Sequence, residues 1–176
     1  MGCYYDIELA FNLREDVPAE VVSKIAFLMG EATDAAAPPA HPSFDEHTWR
    51  SGALAQHVTS PPKRGAAVCS FQRVLRYTQM GRDHYQYTFH LRCSSKLEPI
   101  FEDLLVFLQW AAQYCDGRQF VGYFVEEYES QPTLLYVSEG KAYMKDVREP
   151  PCCVDDGSPW VQAKPPQQKR WWRFWS

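Results

Sequence analysis

The sequence predicts an α+β domain, an antiparallel sheet with two helices on one face. Three observations predict it. Apolar and polar residues alternate along 3–13 and 83–93, the period-2 signature of strands with one buried face. Two other stretches, after Asp16 and over 96–115, repeat apolar residues at helical spacing. Turn and breaker residues separate the elements in the order strand, helix, strand, strand, helix, strand.

The first strand places Cys3, Tyr5, Ile7, Leu9, Phe11 and Leu13 on one face and Tyr4, Asp6, Glu8, Ala10 and Asn12 on the other. In the first helix Asp16 is the expected cap, Pro18 sits in the first turn and Gly30 ends it. Val21, Ile25 and Leu28 form its apolar stripe, with Val22 and Met29 beside it. Residues 31–65 are rich in Ala, Pro and Ser and read as a long inserted loop with one short helical turn.

Two strands follow, over 66–78 and 83–93, joined near Gly81. The second turns Tyr85, Tyr87, Phe89, Leu91 and Cys93 inward and His84, Gln86, Thr88, His90 and Arg92 outward. A turn centred on Gly81 sets Cys69 against Cys93 and Phe71 against Leu91. Ser95 and Glu98 then make a capping box at the head of the longest helix, 96–115. Ile100, Leu104, Phe107 and Ala111 lie on one line of it, and Asp116-Gly117 ends it. A strand over 118–129 stops at Pro132, and 133–144 reads as a hairpin turning at Glu139-Gly140.

This order is the split βαβ of the ferredoxin-like plan, βαββαβ, with an extra C-terminal hairpin. Strands one and three are expected at the centre. The domain covers 1–147, and 148–176 reads as a flexible tail ending in a Trp/Arg-rich segment.

The 176 residues suffice for one ordinary core and not comfortably for two. Apolar residues at 45% and charged residues at 23% fit a globular chain. No run approaches the roughly 20 apolar residues of a membrane span, and no signal peptide precedes the first strand, so the expected location is cytoplasmic. An acylated Met1-Gly2-Cys3 start would want Ser or Thr at position 6, where this chain has Asp6. None of the six cysteines is spaced C-x-x-C, which argues for small buried residues over a zinc ribbon. Lys164, Lys169, Arg170 and Arg173 give residues 163–176 a charge of +4; taking that from the formal −4 leaves −8 on residues 1–162. So acidic a body is a poor partner for nucleic acid.

His41-Pro42-Ser43-Phe44 with Trp49-Arg50, then Gly122-Tyr123 through Glu126-Glu127 and Pro132-Thr133-Leu134-Leu135-Tyr136, resemble motifs of a family of small uncharacterised bacterial proteins. There a helix precedes H-P-x-F and W-R, and a late strand ends in P-T-L-[IL]-Y. The resemblance spans roughly 3–145 and leaves out the tail. It implies partial order in 31–65 and carries no activity.

Several groups of residues could carry chemistry. His41, His47 and His57, with Asp45 and Glu46, would suit zinc or non-haem iron by ligand type, but their spacing matches no ligand pattern. Phe44 and Trp49 between them read as anchors of a surface loop, and no cofactor is expected. Arg73 falls on an inward row; it either reaches solvent from an edge strand or lines an anion-binding pocket. The outward row with His84, His90 and Arg92 lies near Asp6 and Glu8 and makes an open polar face suited to a protein partner or a second copy. Val106 and Trp110 flank the long helix, either as packing against the loop or as a partner hot spot. In the tail, Trp171, Trp172, Arg173 and Trp175 combine indoles and cation, for docking on the body, on a partner or on an anionic membrane.

No phosphate-cradling Gly-rich loop, nucleophile elbow or H-E-x-x-H is present. The leading expectation is a non-enzymatic protein-interaction domain with a Trp/Arg docking tail. The alternatives are a peripheral membrane adaptor that uses the tail, and a small metal- or ligand-binding enzyme that uses the loop histidines.

Overall fold

The computed structural model describes residues 4–32, 44, 49–56, 66–77, 83–96, 98–129, 131–146, 152–153 and 158. Its elements are β1 (Tyr4–Asn12), α1 (Ala19–Leu28), α2 (Ala53–Gln56), β2 (Val68–Tyr77), β3 (Asp83–Lys96), α3 (Glu98–Ala112), β4 (Gln119–Glu126), β5 (Thr133–Ser138), β6 (Lys141–Asp146) and β7 (Cys152–Cys153). All seven strands join one sheet in the order β2-β3-β1-β4-β5-β6-β7. Each neighbouring pair is antiparallel.

The expected ferredoxin-like sandwich, two helices packed on a small sheet with an added hairpin, is corrected by this architecture. The molecule is mostly antiparallel sheet. Residues 133–146 are no appendage: β5 pairs with β4, β6 with β5, and Cys152–Cys153 adds a seventh strand in the stretch read as tail. At about 4.8 Å per strand the sheet is roughly 29 Å wide, more than two helices each about 10 Å across can cover. β1 and β3 are interior strands, as expected, and the middle strand of the wider sheet is β4. Periodicity in the sequence marks β1, β3, α1 and α3 with their faces, but not β7 nor how far pairing extends.

One core lies on the inner side of the sheet. Ile7, Leu9, Phe11, Phe89 and Leu91 are buried there with Val21, Ile25 and Leu28 of α1 and Leu104, Phe107 and Ala111 of α3. Phe11 stacks on Phe89 with ring centroids 5.0 Å apart, and Phe107 lies 5.0 Å from Phe89. Burying one such ring contributes about 1.5–3 kcal/mol.

Pro18, not Asp16, occupies the position before α1, with no side-chain cap. Asp16 instead pairs with Arg14 at 2.9 Å. The helix end is as expected in kind. Gly30, at φ +78°, lets its own N–H reach Phe27 O and that of Glu31 reach Ala26 O, the paired bonds that satisfy terminal carbonyls. The inserted loop meets the helix here, with Gly52 N donating to Phe27 O at 3.0 Å and Leu54 of α2 buried. The side chains of the expected Ser95–Glu98 cap lie outside the described set.

The β2–β3 register differs from the expected one by two residues. Cys69 pairs with Leu91, Phe71 with Phe89 and Arg73 with Tyr87. A slip of two keeps every side chain on its own face, whereas a slip of one would have turned the core outward. The register shifts between Phe120 and Gly122 of β4. The β5–β6 turn uses positive φ at Glu139 (53°) and Gly140 (76°), the two-residue geometry that matches strand twist. No helix of the described residues is long and apolar enough to cross a membrane.

Candidate functional site on the outer sheet face

Pairing of β1 with both β3 and β4 brings three polar side chains into one row. Glu8 pairs with Arg92 on one side and with Tyr123 on the other. The row continues to Leu134 and Lys145 through β5 and β6. His90 stands one rung away, opposite Ala10. Period-2 alternation puts all of them on the face opposite the core.

Glu8 is the hub of this group. Its Oε1 lies 3.6 Å from His90 Nε2 and its Oε2 lies 3.7 Å from Arg92 Nε. The side chains of Glu8 and Arg92 are each 29% exposed, which leaves the charges half-wet and the pairs individually weak. The Tyr123 phenol hydrogen-bonds to Glu8. Burial raises the Tyr123 pKa first, and the Glu8 charge and hydrogen bond raise it further. Hydrogen-bond donors and acceptors of three chemical types, imidazole, guanidinium and phenol, thus stand around one carboxylate.

An apolar patch adjoins this row. Phe120 is 53% exposed and meets Tyr136 edge-on at 5.5 Å. Strand pairing continues the line from Tyr136 to Tyr143, and Cys153 beyond it is buried and ends the exposed patch. Sequence reasoning missed this patch because of the bulge. Phe120 and Tyr123 are three apart, so strict alternation assigns them to opposite faces, yet the extra residue puts both outside.

A second polar set fastens the end of β1. Thr88 Oγ1 and Arg76 Nη2 donate to Asn12 Oδ1 at 2.9 and 3.1 Å. Gln119 accepts from Asn12 N at 3.0 Å and donates to Asn12 O at 2.8 Å. These bonds saturate one another, and we assign them to holding β1 between its neighbours.

The other expected site residues are scattered. Trp110 is 3% exposed, with its indole among Phe44 (6.0 Å), Trp49 (6.2 Å) and Tyr114 (5.6 Å). That is packing against the inserted loop. Val106 is half-buried on the same helix. Arg73 is exposed on edge strand β2, its Cζ 4.2 Å from the Tyr85 ring centroid. His41, His47, His57, Trp171, Trp172, Arg173 and Trp175 lie outside the described residues. Among the described residues no three His, Cys, Asp or Glu side chains gather as a metal site would need.

Comparison of the chain with protein-family models, with curated proteins and with solved structures gave no match in any of the three.

Proposed function

We propose that the chain is a non-enzymatic protein-interaction domain whose working surface is the outer face of the sheet. The observation that supports it most is the exposed Phe120–Tyr136 patch beside the Arg92–Glu8–Tyr123 row. An apolar spot rimmed by hydrogen-bonding groups has the anatomy of a modest protein interface. The helices contribute their buried residues to the core on the other side, while Phe120 is exposed on this one. In this reading the Trp/Arg segment of the tail is a second point of attachment.

Affinity capture with the full chain, with Phe120→Asp and with a chain lacking the last 14 residues tests the proposal. A partner that is retained by the full chain and lost from Phe120→Asp, with unchanged circular dichroism, supports it. Identical capture by the full chain and Phe120→Asp sinks it.

Membrane contact through the tail is a second reading, favoured by four aromatic and three cationic residues within 169–175. Co-sedimentation with anionic vesicles before and after cutting the chain behind Val161 separates it from the first. Equal binding of both forms removes it.

A further inference from the structure

We propose that the free edge of β2 is a separate binding site, which takes an extended acidic peptide as an eighth strand of the sheet. The inference rests on the interaction-domain reading only for the class of partner. It concerns a different surface, at the opposite side of the sheet from the short β7.

β2 runs ten residues and, among the described residues, pairs with β3 alone and ends the sheet. Every second residue of such a strand turns its N–H and C=O away from the sheet, a template for one more strand. Gln72, Arg73 and Arg76 are exposed, and they include both faces of the strand, so this part of the edge is accessible. Among the described residues the other edge is the two-residue β7, too short for a comparable template.

Charge decides what would pair there. Residues 68–77 hold two arginines and no acid. Arg73 lies over Tyr85 with its Cζ 4.2 Å from the ring centroid, and Tyr85 is itself 51% exposed. The cation–π contact holds the guanidinium at the surface, where its N–H groups can meet a carboxylate. Among the described residues no carboxylate pairs with Arg73. Arg76, on the opposite face, donates to Asn12 and Thr88 and still contributes its charge. A second copy does not fit: two β2 edges would bring four guanidinium groups to one seam with no acid between them. The basic segment 163–176 is excluded by the same sign. A strand with Asp or Glu at the alternate positions on the Arg73 face satisfies the backbone and gives Arg73 a carboxylate.

The test uses twelve-residue random peptides displayed on phage and selected on the full chain. Enriched peptides are expected to alternate acidic with β-branched residues. They should bind Arg73→Glu at least about tenfold more weakly, bind Tyr85→Ala more weakly than the full chain, and shift the amide signals of β2. Failure to enrich acidic peptides overturns the proposal, and so does equal binding to Arg73→Glu. Peptides that lose binding in Phe120→Asp and keep it in Arg73→Glu overturn the edge site while leaving the outer-face reading intact.

Discussion

Gly122 packs so closely on β1 that a Cβ added to it would overlap the carbonyl oxygen of Glu8. Its φ of +141° is also one that other L-residues avoid. Both constraints come from the bulge that sends Phe120 and Tyr123 to the same face. Gly122→Ala should therefore cost about 3 kcal/mol or more and lower the melting temperature by roughly 6–12 °C. Gly117→Ala, at φ +57° with nothing within 4 Å, should cost only about 1 kcal/mol. Thermal melts that rank the two the other way would disprove the account of the bulge.

Trp110 ties α3 to the inserted loop through Phe44 and Trp49. Trp110→Ala should cost about 3–5 kcal/mol, and Trp110→Phe clearly less. Urea midpoints measure this. A partner hot spot would behave otherwise: truncation would leave the midpoint unchanged and reduce only binding.

Burial raises the Cys69 thiol to about 11, and those of Cys93 and Cys115 to about 12. In the unfolded chain these thiols ionise near the ordinary value of 9.0. Between those values the folded state holds more protons, so stability falls as pH rises from 9 toward 12. The urea midpoint should be lower at alkaline pH than near neutrality. Peptide mapping after iodoacetamide at neutral pH should find these three cysteines unlabelled until urea is added.

The phenol of Tyr123 should ionise later than an ordinary tyrosine. Glu8→Gln removes the charge and weakens the acceptor, so the Tyr123 titration should move down, while burial still holds it above the ordinary value. A ring-resonance titration of the two proteins by NMR reads this directly. No movement would mean that burial alone sets the phenol.

The facing of β1 and β3 was readable from alternation, and so were the α1 stripe and the Glu139-Gly140 turn, because each is encoded within a few residues. Three things were not. The β2–β3 register depends on residues 78–82, and a slip of two leaves the same faces buried. The width of the sheet depends on long-range pairing of β5, β6 and β7, which no local pattern reports. The Phe120–Tyr136 patch depends on a bulge that breaks the alternation used to find it. The Glu8–Arg92 neighbourhood was legible in outline from the outward rows, whereas its link to Tyr123 needed the β1–β4 register.

β1 sits between β3 and β4, which begin only at Asp83 and Gln119. During synthesis, then, β1 must wait for roughly 70 further residues before β3, its earlier neighbour, begins, and longer for β4. At roughly 5–20 residues per second the wait lasts several seconds, with a bare amphipathic strand in the meantime. Chaperone demand during synthesis should therefore centre on β1, and a permuted gene in which β4 precedes β1 would relieve it.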